Sequence, residues 1–147
     1  MTDPGFPLLE GGVIPRRFLP GNIGGGPQAE SFAFSGALTT VRTGVLGWTS
    51  PWWASIRPLG LSVTIGTMPS AGASSPGTTF DLIVGSVLAG SVSVTDGNDA
   101  AGEDVFTVDT IGPGTRITVD VSKVTNATPV KTGDAVVQFW WEYIVSD

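Results

Sequence analysis

Toward the end of this sequence, apolar side chains recur at every second position for longer than anywhere else in it. Val137, Phe139, Trp141, Tyr143 and Val145 share one parity, and Val136, Gln138, Trp140, Glu142 and Ile144 share the other. A repeat of two is the signature of an extended strand and is incompatible with a helical stripe. The first set is wholly apolar and is expected to face a core. The second is mixed and is expected to meet solvent or a neighbouring subunit. The segment 134–146 is therefore the longest strand expected in the chain.

Shorter runs repeat the pattern. Leu61, Val63 and Ile65 alternate with Ser62 and Thr64, and Ile117, Val119 and Val121 alternate within 116–121. Phe80, Leu82 and Val84 share a face in 79–84, and Phe32 and Phe34 share one in 31–36. Further strands are expected over 38–42, 45–48, 54–56, 91–95 and 105–108, with Pro58 ending the third of these. Turns are expected at Thr43-Gly44, at 96–99 and at Gly112-Pro113-Gly114, and loops at 68–77 and 127–133. Residues 87–92 are ambiguous and could hold one helical turn. Roughly seven to nine short strands separated by turn signals argue an all-β fold, a single antiparallel β-sandwich.

The first thirty residues read differently. They contain seven glycines and five prolines, which raise the entropy lost on ordering and remove ladder donors. Yet Phe6, Leu8, Leu9, Val13, Ile14, Phe18, Leu19 and Ile23 are too many large apolar groups for a solvated tether. The expected organisation is an extended docking arm over 1–30 and a sandwich domain over 31–147, with those eight side chains forming the arm's interface. Burying eight such groups is worth about 12–24 kcal/mol at about 1.5–3 each. Ordering thirty residues costs more, at about 1–2 kcal/mol per residue. The arm is therefore expected to need backbone hydrogen bonds, by adding a strand to a sheet, as well as its side chains.

Charge and composition narrow the function classes. The formal net charge is −6, and no basic stripe of the kind that tracks phosphates is present, so no nucleic-acid partner is expected. Cysteine and histidine are both absent. Disulfides, thiolate metal sites and the usual neutral-pH base are thereby removed. Serine nucleophiles have no histidine partner, no glycine-rich phosphate loop precedes a helix, and no enzyme activity or cofactor is expected. No apolar run reaches the ~20 residues of a membrane span, and no export signal is visible, so synthesis in a cytoplasm is expected.

Two clusters stand out. Asp96, Asn98, Asp99, Glu103 and Asp104 form an oxygen-rich stretch. Such stretches can hold calcium, but the spacing does not fit an EF-hand loop, and a solvated turn without metal is expected. Trp48, Trp52 and Trp53 gather around Pro51, and Trp140 sits beside Trp141. Three readings are open for Trp48, Trp52, Trp53 and Trp140: core packing, a subunit interface, or a platform for stacking on sugar rings.

A resemblance adds to this. The order Phe34-Ser35-Gly36-Ala37-Leu38, Thr43-Gly44 ahead of Trp48 and Pro51, and Val63 in an alternating strand leads to Phe80-Asp81-Leu82-Ile83-Val84. Ile117-Thr118-Val119-Asp120-Val121, Val124, residues 127–129 and Gly133-Asp134 follow, before a final apolar strand. This order resembles β-sandwich modules of tailed-bacteriophage virion proteins, notably minor tail proteins of phages that infect actinobacteria, over residues 32–143. The resemblance implies a jelly-roll-like sandwich, often homo-oligomeric (a trimer is the expectation), without a cofactor. It implies a structural role in the virion, as minor tail or head decoration component. Other virion structural proteins would be the partners, and the protein would be made in the host cytoplasm. The alternative is a carbohydrate-binding adhesion module whose partner is a host surface glycan.

Overall fold

The computed structural model describes residues 14–15, 26–38, 40–67, 78–94, 100–124 and 133–146. The strands, in chain order, are β1 (Ile14–Pro15), β2 (Gln28–Ala37), β3 (Arg42–Thr49), β4 (Ile56–Thr67) and β5 (Thr78–Val84). They continue with β6 (Val87–Val94), β7 (Ala100–Glu103), β8 (Arg116–Lys123), β9 (Gly133–Tyr143) and β10 (Val145–Ser146). Two four-stranded antiparallel sheets carry the fold, in the orders β2-β9-β4-β7 and β3-β8-β5-β6. Among the described residues no helix is long and apolar enough to cross a membrane.

The pairing has a simple logic. β5 pairs with β6, β4 with β7, β3 with β8 and β2 with β9, all antiparallel. The chain is thus one long hairpin with its tip between β5 and β6, wrapped so that successive pairs alternate between sheets. That is the jelly-roll topology, and the expected β-sandwich is present in this form.

The alternating runs build the core as expected. Phe32 and Phe34 of β2, Leu61 and Val63 of β4, and Val137 and Phe139 of β9 point inward from one sheet. Phe80 and Leu82 of β5 and Ile117, Val119 and Val121 of β8 meet them from the other. Phe34 and Phe80 close the gap between sheets with ring centroids 5.7 Å apart.

The structure corrects several local expectations. Thr43-Gly44 is not a turn between strands. It lies inside β3, where the register shifts between Arg42 and Leu46 and Gly44 takes a φ of 64°. Leu38 does not begin a strand; it is fully buried ahead of β3. Pro58 does not end a strand, because β4 runs through it with a register shift between Pro58 and Gly60. On the side away from β9, β4 is paired by β7 only over Leu61 to Thr64, so no ladder bond there needs the missing N–H. Residues 87–92 are strand, joined to β5 by a turn in which Gly85 has a φ of 64°. Residues 105–108 form no strand; Thr107 instead donates its backbone N–H to the Ala89 carbonyl at 2.9 Å. The expected loop at 68–77, the turn at 96–99 and residues 127–132 lie outside the described residues. β2 starts at Gln28, ahead of the expected boundary at residue 31.

Candidate functional site

Of the eight apolar arm residues, Phe6, Leu8, Leu9, Val13, Phe18, Leu19 and Ile23 lie outside the described residues. Ile14 is in β1, which pairs in parallel with β10 in the register Ile14 to Val145 and Pro15 to Ser146. Strand addition is therefore present at this point of the arm, and the strand it extends belongs to the same chain.

The tryptophans separate into different environments. Trp48 on β3 packs against Trp141 at 5.3 Å and against Phe139, edge-on, at 6.4 Å. Trp141 meets Tyr143 edge-on at 5.0 Å, and Tyr143 stacks on Trp53 at 5.0 Å with 26° between planes. Phe106 extends the series by an edge contact with Phe139 at 6.4 Å. A continuous row of rings thus runs between the sheets and out to the 52–53 turn. Edge-to-face and offset geometry is what the ring quadrupoles favour. Trp48 and Trp53 are half-buried within this row, whereas Trp52 is 64% exposed at the turn.

Ser50 fixes that turn in place. Its buried hydroxyl donates to the Gly112 carbonyl at 2.9 Å and accepts the Thr115 N–H at 2.8 Å. The Gly114 N–H reaches the Pro51 carbonyl at 3.0 Å. The Pro51 and Gly112-Pro113-Gly114 segments, far apart in sequence, are one hydrogen-bonded unit at the end of the sandwich.

At the same end, Glu30 lies on the inward face of β2, in step with Phe32 and Phe34. Burial raises its carboxyl above the ordinary value of 4.5, and the Trp141 indole N–H partly offsets this. The Trp141 N–H is buried and closes no hydrogen bond of ordinary geometry among the described residues. The pair is therefore a loose charge–dipole contact. Burial also raises the Tyr143 phenol, and the negative charge on Glu30 adds to the shift.

Trp140 points the other way, off the outer face of β9, and is 38% exposed. Its neighbours in register are Ala29 on β2 and Gly60 on β4. Its Nε1–H reaches Ser62 Oγ at 3.5 Å, a weak contact. Gly60, Leu61, Ser62, Gly102, Glu103, Asp104 and Trp140 line an open groove of about 390 Å³. Glu103 Oε1 accepts the backbone N–H groups of Asp104 and Val105, both at 2.9 Å. The acidic run singled out in sequence is thus partly a strand terminator, and Asp96, Asn98 and Asp99 lie outside the described residues. No three potential metal ligands of the His, Cys, Asp or Glu type converge among the described residues.

Trp48, Trp52, Trp53 and Trp140 are therefore not brought together into one flat platform. Two join the interior row, one caps a turn and one stands alone on the outer face. No protein-family model matches the chain, and no curated protein matches it.

Proposed function

We propose that this chain is a structural component of a tailed-phage particle, held there through its N-terminal arm and displaying a jelly-roll sandwich. The supporting observation is the wrapped-hairpin topology, with sheets β2-β9-β4-β7 and β3-β8-β5-β6. Double-sheet jelly rolls are the architecture of many capsid and lectin domains. Fold alone assigns no function; here it agrees with the ordered motifs that resemble virion modules. Asp120, Asp134, Ser50 and Glu103 spend their polar atoms on bulges, turns and strand ends, which suits a scaffold.

Homo-oligomerisation belongs to the same proposal. Val87 and Leu88 at the start of β6, and Val105, whose carbonyl lies beside Gly90 of the same strand, are large apolar side chains about half or more exposed. Single exposed apolar groups are ordinary, but grouped ones mark contact surfaces. The test is to complement a phage lacking this gene with the tagged full-length chain and to separate particles on a density gradient. The chain is expected in the particle band, at a copy number divisible by its oligomeric state from light scattering. Its recovery only in the free-protein fractions overturns the proposal.

A further inference from the structure

We infer that the groove beside Trp140 binds one neutral sugar ring of a glycan. The inference goes beyond the particle role, and its failure would leave that role standing.

Trp140 is the one large aromatic that the outer face of the sheet presents among the described residues, and both flanking strands place small residues around it. At Gly60 an added Cβ would lie 3.8 Å from Trp140 Cδ1, in contact with the edge of the ring. At Gly102 an added Cβ would touch only the Leu61 carbonyl oxygen, at 3.8 Å, and the space beyond is open. Two glycines thus leave the groove beside the ring free of side chains on β4 and β7 at these positions.

The polar groups of the groove are acceptors. The Glu103 side chain, in step with the inward Leu61 and Ala101, terminates β7, and what it brings to the groove is its backbone carbonyl, 3.8 Å from where a Gly60 Cβ would lie. The exposed Asp104 carboxylate has no partner among the described residues, and Ser62 adds a hydroxyl. The nearest described cation, Arg57, is held by Glu142 at 3.0 Å. A π face with carbonyl and carboxylate acceptors selects a ligand that offers hydroxyl donors together with a C–H face, and a pyranose ring offers both. The groove is open, which suits one residue of a longer chain passing across it. Its size sits toward the lower end for small-ligand sites. The Asp104 carboxylate on a protein of net charge −6 disfavours uronic acids and phosphorylated sugars.

The test uses the full-length, ¹⁵N-labelled chain. Glucose oligomers with α-1,4 and β-1,4 linkage, a galactan fragment, an N-acetylglucosamine tetramer and oligogalacturonate are titrated separately. At least one neutral oligomer is expected to shift the Trp140 indole N–H and the Gly60 and Gly102 amides saturably, with a Kd in the range of about 10 μM to 10 mM. Oligogalacturonate is expected to leave them in place. Trp140→Ala, which removes an exposed ring, and Gly102→Val, which fills the groove, should each weaken binding at least about tenfold, or about 1.4 kcal/mol. Trp52→Ala should not. Three results would overturn the inference: no shift from any neutral oligomer, undiminished binding by both groove variants, or a response to tetramethylammonium without one to sugars. The last would make the groove a cation site.

Discussion

Asp81 and Asp120 face each other directly across β5 and β8 on the solvent side of the sheet. Like charges in such a pair are destabilising. Each carboxylate is drawn by a donor of its own: Ser91 Oγ–H reaches Asp81 Oδ1 at 2.6 Å, and the Gly44 N–H reaches Asp120 Oδ1 at 2.7 Å. The second bond pins the bulge of β3, where Gly44 has its positive φ. The two residues therefore respond differently to substitution. Asp81→Asn keeps an acceptor for Ser91 and removes the repulsion, so stability should hold or rise by up to about 1 kcal/mol, less at high salt. Asp120→Ala leaves the bulge N–H without its acceptor and should cost about 1–2 kcal/mol. Urea denaturation of both variants at two salt concentrations checks the pair.

Two glycines make a second contrast. A Cβ on Gly90 would approach Phe106 Cδ1 to 3.0 Å, and Phe106 is backed by Phe139. A Cβ on Gly47 would come closer still to its neighbour, 2.5 Å from Arg116 Nη2, but that neighbour is the end of a flexible, exposed side chain. What can move decides the cost, not the shorter distance. Gly90→Ala should lose about 1–3 kcal/mol, whereas Gly47→Ala should stay within about 0.5 kcal/mol of the parent. Equal losses in thermal unfolding would refute the assignment of Phe106 to the packed row.

Legibility in the sequence followed burial. The runs ending in Ile65, Val121 and Tyr143 could be read because each belongs to a strand buried on one face, which forces a period of two. β6 was ambiguous because Val87 and Leu88 are exposed at its start, next to the hairpin tip, and alternation is lost there. Thr43-Gly44 reads as a turn because a glycine with positive φ serves a turn and a bulge alike. The tryptophans show the limit for sites. That Trp140 and Trp141 face opposite ways follows from adjacency in a strand. That Trp48 packs on Trp141, or that Glu103 and Gly102 come beside Trp140, depends on pairings between strands far apart in sequence, and no local pattern encodes them.

Glu30 should make stability depend on pH. Its folded pKa is raised, so the fold favours the protonated carboxyl. That contribution is complete below the ordinary value of 4.5 and is lost as pH climbs through the raised folded value. Glu30→Gln keeps the shape, still offers an oxygen to the Trp141 N–H and cannot ionise. Its melting temperature should exceed that of the parent at pH 7, and the difference should vanish near pH 4. A variant less stable than the parent at pH 7 would mean that the Trp141 contact outweighs burial. Tyr143 adds a separate limb above pH 10: its pKa is also raised, so stability should fall as the phenol ionises.

The position of β2 decides how the arm can be removed. Gln28, Ala29 and Glu30 pair with Trp141, Trp140 and Phe139, so a cut after residue 30 strips the start of a sheet strand. A cut after residue 25 leaves all eight sandwich strands whole and, among the described residues, takes only the two-residue β1 from β10. If the sandwich is the folding unit, removing residues 1–25 should lower stability by about 1–2 kcal/mol, the scale of one or two backbone hydrogen bonds. Removing residues 1–30 should cost clearly more, because it also uncovers the inward edge of the core beside Trp141. Near-equal losses would move the start of the domain past residue 30, and collapse of the shorter truncation would make the arm part of the core. The same pair of truncations isolates docking from folding. A chain lacking residues 1–25 that melts almost like the parent but no longer enters particles would locate the attachment in the arm itself.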